Sequence, residues 1–108
     1  RRLQWNCVRQ LDFEPPDRER FPLLELAYEA LRIGGAAGGV LNAADEVAVE
    51  AFLDDKIGFC DLPRVVSDVM DNVGLRQANS PREVLDLDRE VRRVAWDYVQ
   101  RRPKMFTV

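Results

Sequence analysis

A pair of adjacent prolines, Pro15-Pro16, divides the chain into two parts with different hydrophobic periods. Each proline fixes its own φ and pushes the residue before it towards extended geometry, so a helix cannot run through this point. Before the pair, apolar residues alternate with polar ones, and after it they recur at helical spacing. The sequence therefore predicts an extended arm, a stiff linker and a helical body.

The arm, residues 1–13, has the two-residue period of a half-buried strand. We expect it to form a strand or an extended segment, and we expect residues 14–21 to form the stiff linker. The alternating apolar residues of the arm are Leu3, Trp5, Cys7, Leu11 and Phe13.

The first two predicted helices flank a run of glycines. Helix one covers about Pro22 to Ile33, because Gly34-Gly35 can end a helix there. Helix two starts near Asn42, whose side chain can cap free backbone N–H groups, and stops near Asp55. The residues predicted to face inward are Leu24, Ala27, Tyr28 and Leu31 in helix one, and Ala44, Val47, Ala48, Ala51 and Phe52 in helix two.

The last two predicted helices begin at capping residues. Helix three opens at Asp61, a good N-cap, and stops at Gly74. Helix four opens at Ser80, with Glu83 three residues later to complete a capping box, and ends at Pro103. The residues predicted to face inward are Val66, Val69, Met70 and Val73 in helix three, and Val84, Leu87, Val91, Val94, Ala95 and Tyr98 in helix four.

Four helices with short connections and one apolar stripe each predict a mainly α fold. We expect a small four-helix bundle over residues 22–102, preceded by the extended strand and linker arm and followed by a tail, residues 103–108. Helix four would be broken in two if Asp86 capped a separate helix.

Charge and cysteine content restrict the partners. Sixteen basic and nineteen acidic residues give a net charge of −3, too balanced for the positive field that nucleic acid or an anionic membrane requires. No apolar run is long enough to cross a bilayer. Cys7 and Cys60 lie far apart, so neither a metal clip nor a dense disulfide framework is available, and we expect reduced thiols.

Two motifs resemble sites of chemistry. The glycine-rich run 34–39 could cradle a phosphate, but it lacks a Gly-Lys-Ser/Thr ending and follows a helix. We interpret it as a helix end with a flexible connector. Asp45, Glu46 and Glu50 could hold a divalent ion, but the chain has no histidine, and acids early in a helix complement its dipole. We predict no catalytic, cofactor-binding or metal-binding residue in this chain.

Other polar and aromatic residues have two interpretations. Asn42 either caps helix two, which we favour, or extends across an interface. Trp96 lies off the apolar stripe of helix four and should be partly exposed, either as a partner contact or as an incidental surface ring. Four arginines alternate with acidic residues and predict a solvated helix face rather than an anion site: Arg92, Arg93, Arg101 and Arg102.

Several short motifs, in this order, resemble one enzyme family. From about Leu3 to Arg102 the chain is similar to the C-terminal region of 1-deoxy-D-xylulose 5-phosphate reductoisomerase. The chain departs from the family pattern at Leu23, where cysteine is frequent, at Asp45, where asparagine is usual, and at Gly38-Gly39, a variable pair. The motifs are Leu11-Asp12-Phe13-Glu14-Pro15-Pro16-Asp17, Arg20-Phe21-Pro22, Leu41-Asn42-Ala43-Ala44 followed by Glu46, and Ile57-Gly58-Phe59 before Asp61.

The resemblance implies a homodimeric enzyme that uses NADPH and Mg²⁺ or Mn²⁺. It converts 1-deoxy-D-xylulose 5-phosphate to 2-C-methyl-D-erythritol 4-phosphate in non-mevalonate isoprenoid biosynthesis, in the bacterial cytoplasm or the plastid stroma. The family's nucleotide-, metal- and substrate-binding motifs lie upstream of the part that matches. This chain is therefore expected to be non-catalytic and to bind none of these cofactors.

The resemblance also implies an architectural role beside the upstream catalytic and NADPH-binding domains. Residues 1–13 would supply the terminal strand of the catalytic domain, residues 14–21 the linker, and the bundle would pack back against that domain. The alternative is a free-standing helical interaction module that recruits a protein through Trp96 and the tail residues Met105-Phe106. An alternating arm with no sheet to join argues against this alternative.

Overall fold

A computed structural model describes residues 2, 4–7 and 10–102. None of these residues lies in a β-strand, and the predicted mainly α, four-helix fold is confirmed. No helix within the described residues is both long and apolar enough to span a membrane. The helices are α1 (Pro22–Ile33), α2 (Ala37–Leu53), α3 (Leu62–Val73) and α4 (Pro81–Arg101), with short 3₁₀ turns at Trp5–Cys7 and Phe59–Asp61.

Helix α2 is the centre of the bundle, and α1, α3 and α4 all pack against it. Its buried face consists of alanine and valine, and such small side chains let neighbouring helices approach closely. The largest fully buried side chains are all valines, whose β-branching restricts them to few rotamers. These valines are Val47 from α2, Val66 and Val69 from α3, and Val91 from α4.

Helix α1 has the predicted bounds, whereas α2 begins earlier than predicted. Gly34, with φ +73°, ends α1, and α2 starts at Ala37 instead of near Asn42. Gly38-Gly39 therefore form the first turn of α2 and are not a flexible connector. Burial of Val40, close to the start of α2, outweighs the poor helix propensity of glycine, since tertiary packing provides most of a helix's stability.

The predicted capping of the later helices is only partly correct. Asp61 lies at the N-cap position of α3, but its carboxylate accepts a hydrogen bond from the backbone N–H of Gly58 (2.8 Å) instead of capping α3. At α4 the prediction holds: the backbone N–H of Glu83 donates to Ser80 Oγ (3.2 Å). The Glu83 carboxylate accepts from the N–H of Asn79 (2.7 Å), one residue before the predicted partner.

Helix α4 is continuous, so the alternative of a break near Asp86 is wrong. Asp86 does not cap a new helix, because its carboxylate accepts a hydrogen bond from Arg89 (3.1 Å) on the exposed surface. The helix ends at Arg101. Pro103, predicted to end it, and the tail residues 103–108 lie outside the described residues.

The arm differs from the predicted strand within its described residues. Trp5–Cys7 form a 3₁₀ turn, residues 10–16 have no regular secondary structure, and the side chain of Phe13 is 89% exposed. A strand needs a neighbouring strand for its hydrogen bonds, and the described part of this chain has none. The assignment of residues 1–13 to a sheet of a preceding domain therefore stays a prediction, and Leu3 lies outside the described residues.

Candidate contact surface

Helix α1 has apolar residues on two faces, and only one face packs against the bundle. Ala30 is buried, and Leu23 and Leu26 pack against the core. The other face, which we call the outer face of α1, consists of Leu24, Ala27, Tyr28 and Leu31. Leu24 is half-buried, the other three are exposed, and Leu31 is 77% exposed.

The outer face of α1 is the stripe predicted to face inward, so that prediction is wrong. Both stripes repeat every three to four residues, and they differ only by a rotation about the helix axis. Hydrophobic periodicity alone cannot select between them. A large apolar stripe that its own bundle leaves uncovered indicates a surface for contact with another part of a protein.

The linker folds onto this outer face. Arg18 pairs through Nη1 with Glu25 Oε2 (2.9 Å), and its guanidinium carbon lies 5.1 Å from the ring centroid of Tyr28. Arg32 pairs with the other oxygen of Glu25 (3.0 Å). The hydrogen bond from Arg32 lowers the pKa of Glu25, partial desolvation opposes this, and the charge of Arg18 lowers the pKa further. The last linker residues are therefore attached to α1.

Other large apolar side chains are exposed in two groups. The arm and linker expose one group, close in sequence to the outer face of α1: Trp5, Leu11, Phe13 and Phe21. The remainder are scattered over the bundle: Ile33 at the end of α1, and Val49, Leu53, Phe59, Leu75, Val84 and Leu85 in its later part. Scattered apolar residues are normal on a protein surface, so the arm and the outer face of α1 are the better candidate for a contact surface.

An ion-pair network joins α2 to α4. Arg92 pairs with Glu46 (2.8 Å) across the two helices and with Asp88 (2.8 Å) along α4. Asn42 donates from Nδ2 to Glu46 Oε1 (2.9 Å). Hydrogen bonds from Arg92, and then from Asn42, lower the pKa of Glu46, and the bonds to Asp88 and Glu46 raise the pKa of Arg92.

Two predictions are corrected by this network. Asn42 lies inside α2, so it cannot be the N-cap, and its amide binds Glu46 instead. Arg92 is half-buried and joins two helices, so it does not lie on a purely solvated face. The sequence carried no signal for this pair, because Glu46 and Arg92 are far apart in the chain.

The three carboxylates considered as ligands of a divalent ion, Asp45, Glu46 and Glu50, do not form a metal site in the structure. Glu46 is bound by Arg92 and Asn42, Glu50 is exposed, and Asp45 is half-buried. Within the described part of the chain, no three histidine, cysteine or acidic side chains are grouped so that they could hold a metal ion.

A second polar contact, which the sequence did not predict, joins the middle of α3 to the end of α4. Tyr98 Oη donates to Asp68 Oδ2, Arg102 pairs with the same oxygen (3.4 Å), and the Arg102 guanidinium lies over the Tyr98 ring (4.7 Å). Burial, followed by the hydrogen bond to Asp68, raises the pKa of Tyr98 to about 12. Arg93 and Arg101 are exposed, as predicted for a solvated face.

Trp96 is half-buried and packs against the core. The predicted partial exposure is therefore confirmed, but Lys56 Nζ lies 4.6 Å from the ring centroid. Because most of the Trp96 side chain is covered by the core, it offers a partner less apolar surface than the outer face of α1, where Tyr28 and Leu31 are exposed. The tail residues Met105-Phe106 lie outside the described residues.

Comparison with known proteins identifies the family. A family model described as the DXP reductoisomerase C-terminal domain matches residues 1–94. The chain belongs to this family. The chain is similar to one part of several longer proteins. It is 50% identical over 93 residues to the 1-deoxy-D-xylulose 5-phosphate reductoisomerase of Methylococcus capsulatus, covering 86% of this chain and 24% of that protein.

The other comparisons agree. The reductoisomerase of Chloroherpeton thalassium is 47% identical over 96 residues, which cover 89% of this chain and 25% of that protein. The solved structure of the Zymomonas mobilis reductoisomerase in complex with NADPH is 43% identical, with a TM-score of 0.87 over 93% of this chain and 26% of that one. The solved structure of a DOX-P reductoisomerase in complex with magnesium is 31% identical, with a TM-score of 0.80. The match covers 91% of this chain and 27% of that one. The chain thus spans about a quarter of the length of these relatives.

Proposed function

We propose that this DXP reductoisomerase C-terminal domain is the helical end of an enzyme that converts 1-deoxy-D-xylulose 5-phosphate to 2-C-methyl-D-erythritol 4-phosphate. That enzyme would use NADPH and Mg²⁺ or Mn²⁺ in non-mevalonate isoprenoid biosynthesis. The observation that supports this most is the family match over residues 1–94, together with 50% identity to a named reductoisomerase. The enzyme would be a homodimer in the bacterial cytoplasm or the plastid stroma.

The domain itself would have an architectural role and no catalytic one. Two features of its described residues support this: first, Glu46, the central member of the acidic group in α2, is bound by Arg92 and Asn42. Second, the glycine-rich run 34–39 follows a helix and not a strand, which argues against a dinucleotide-binding turn. NADPH and the metal would be held by the preceding domains.

The contact with those preceding domains would be made by the arm and by the outer face of α1. Residues 1–13 would add a strand to the catalytic domain's sheet, which would give their exposed apolar side chains a surface to cover them. Residues 14–21 would connect the two parts. The apolar outer face of α1 would then pack against the same domain and hold the bundle in a fixed place.

A chimera tests this function. The last quarter of the Methylococcus capsulatus reductoisomerase is replaced by this chain, and NADPH oxidation is followed by absorbance after addition of 1-deoxy-D-xylulose 5-phosphate. We expect substrate-dependent oxidation by the chimera and a dimeric mass in light scattering. The same enzyme truncated before the replaced quarter is the control, and we expect it to be inactive or unfolded.

Two results would contradict the proposal. A chimera that is folded by circular dichroism but inactive would mean that this chain cannot serve as the end of such an enzyme. Saturable binding of NADPH to the isolated chain, measured by fluorescence titration, would mean that it carries a cofactor site and is more than architectural.

A further inference from the structure

The linker ends in a folded turn and not in a free segment. The carboxylate of Asp17 accepts hydrogen bonds from the backbone N–H groups of Glu19 (3.1 Å) and Arg20 (3.0 Å). The N–H of Phe21 donates to the carbonyl of Asp17 (2.9 Å). An aspartate that bonds backbone groups two and three residues later stabilises such a turn locally. Pro15-Pro16 precede this turn and Pro22 opens α1, so few backbone torsions remain free between arm and bundle.

Arg18 is the residue of this turn that attaches it to α1. Its guanidinium binds the carboxylate of Glu25 through Nη1 and lies over the ring of Tyr28, one helical turn further along the same side. We call the contact of these three residues the Arg18 clamp. Arg32 binds the second oxygen of Glu25, so the carboxylate is held from both sides.

We infer that Arg18 is a positioning residue, whose clamp fixes the direction in which the arm leaves the bundle. An exposed ion pair and an exposed cation–π contact each shift an equilibrium only a few-fold. Because both act on one side chain next to two prolines and a hydrogen-bonded turn, together they favour the clamped arm roughly tenfold over an open one. Within the proposed function, the clamp sets where the bundle sits relative to the preceding domain.

Pulsed electron paramagnetic resonance on the full 108-residue chain tests this inference. One spin label is attached to Cys60, which is exposed, and the other to Glu14→Cys at the beginning of the linker, in a Cys7→Ser background. We expect a narrow distance distribution with Arg18 present. With Arg18→Ala, we expect a broad distribution in which the clamped distance is a minority.

Arg32→Ala is the matched control, because it also removes one arginine from Glu25 but leaves the linker attached. We expect the distribution to stay narrow with Arg32→Ala and to be intermediate with Arg18→Lys, which keeps the charge but not the planar stacking on Tyr28. The helical circular dichroism should be the same in all variants, so that a changed distance reports the arm and not unfolding.

An unchanged distance distribution in Arg18→Ala would overturn the inference. Equal broadening by Arg32→Ala would also overturn it, because the arm would then depend on the state of Glu25 in α1 and not on its contact with Arg18. The outcome is independent of the enzyme assay. A failed chimera with an intact clamp would contradict the proposed function alone, whereas an active chimera with no clamp effect would contradict this inference alone.

Discussion

At the scale of single residues, Ser80 shows how one hydroxyl stabilises a helix. Its Oγ accepts the N–H of Glu83, one of the backbone donors that have no partner inside the first turn of α4. Ser80→Ala should therefore destabilise the bundle by about 1 kcal/mol, the usual effect of losing an N-cap. Glu83→Gln should cost less, because the amide oxygen can still accept the N–H of Asn79. Urea unfolding of the isolated chain measures both, and equal effects would contradict the cap assignment.

Glu46 makes the stability of the bundle depend on pH. Its pKa in the folded chain lies below the ordinary value of 4.5, because Arg92 and Asn42 bind the charged form. The contribution of the Glu46 carboxylate to the stability of the bundle is therefore complete above about pH 4.5. It is lost as the pH falls through the lower pKa that Glu46 has in the folded chain. We expect Glu46→Gln to be less stable than the wild type at roughly pH 6 to 7. The difference in stability between the two should shrink below pH 4.5.

Urea midpoints of the wild type and Glu46→Gln, measured across this pH range, test the prediction. Glu50→Gln removes an exposed charge one turn further along α2 and serves as the control. A difference between wild type and Glu46→Gln that stays constant down to acid pH would mean that the carboxylate is not stabilised in its charged form.

At the scale of helices, most ends can be predicted from the sequence, whereas the start of α2 and the inward face of α1 cannot. Gly34 and Gly74 adopt positive φ and end α1 and α3 at the predicted places, and Ser80 opens α4. The start of α2 cannot be predicted because Gly38-Gly39 argue against a helix. The burial of Val40, which outweighs their low helix propensity, is seen only in the folded chain. The inward face of α1 was missed because the helix has two apolar stripes.

The contacts between helices could not be predicted for a different reason. The pairs Glu46 with Arg92, and Asp68 with Tyr98, join residues far apart in the chain, and a single sequence carries no information on which distant residues meet. The residues of the Arg18 clamp are closer in sequence, since its ion-pair partners are seven positions apart. The sequence does not reveal it, because the two prolines before it predict only that the linker is stiff and do not indicate what it contacts.

Two glycines of the run 34–39 give opposite predictions for stability when they are replaced by alanine. Gly39 lies in the first turn of α2, and a Cβ added there would meet no atom within 4 Å. Gly39→Ala should therefore stabilise the bundle by roughly 0.5–1 kcal/mol, since alanine loses less backbone entropy on folding. Gly34 has φ +73° and ψ −155°, a conformation that essentially only glycine adopts, so Gly34→Ala should destabilise the bundle by about 1–3 kcal/mol. Urea unfolding of both variants is the test, and destabilisation by Gly39→Ala would contradict the early start of α2.

At the scale of the whole molecule, the bundle is closed on itself except along α1. Its core is contiguous from α2 through α3 and α4, whereas α1 contributes a single fully buried residue, Ala30. Helix α1 packs against the bundle through one face, and the apolar side chains on its other face are left uncovered by the bundle. In the proposed enzyme, the preceding domain would cover it, and the Arg18 clamp would fix the direction in which the arm leaves the bundle.

Leu31→Lys separates stability of the bundle from contact with that domain. Leu31 is 77% exposed, and lysine is a good helix former, so the isolated chain should change by less than about 0.5 kcal/mol. In the chimera, the same change should place a charge in an apolar contact and forfeit the burial of a leucine, about 1.5–3 kcal/mol. Thermal unfolding and NADPH oxidation rates of the chimera should therefore both fall.

Leu85→Lys provides the matched control, because Leu85 is also exposed, at 58%, but lies on α4. It should leave the isolated chain and the chimera unchanged, since α4 is not part of the proposed contact. If Leu31→Lys and Leu85→Lys affected the chimera equally, the contact would extend over more of the bundle than α1. If neither variant had any effect, the outer face of α1 would be an uncovered surface in the complete enzyme, and the arm alone would have to hold the two parts together.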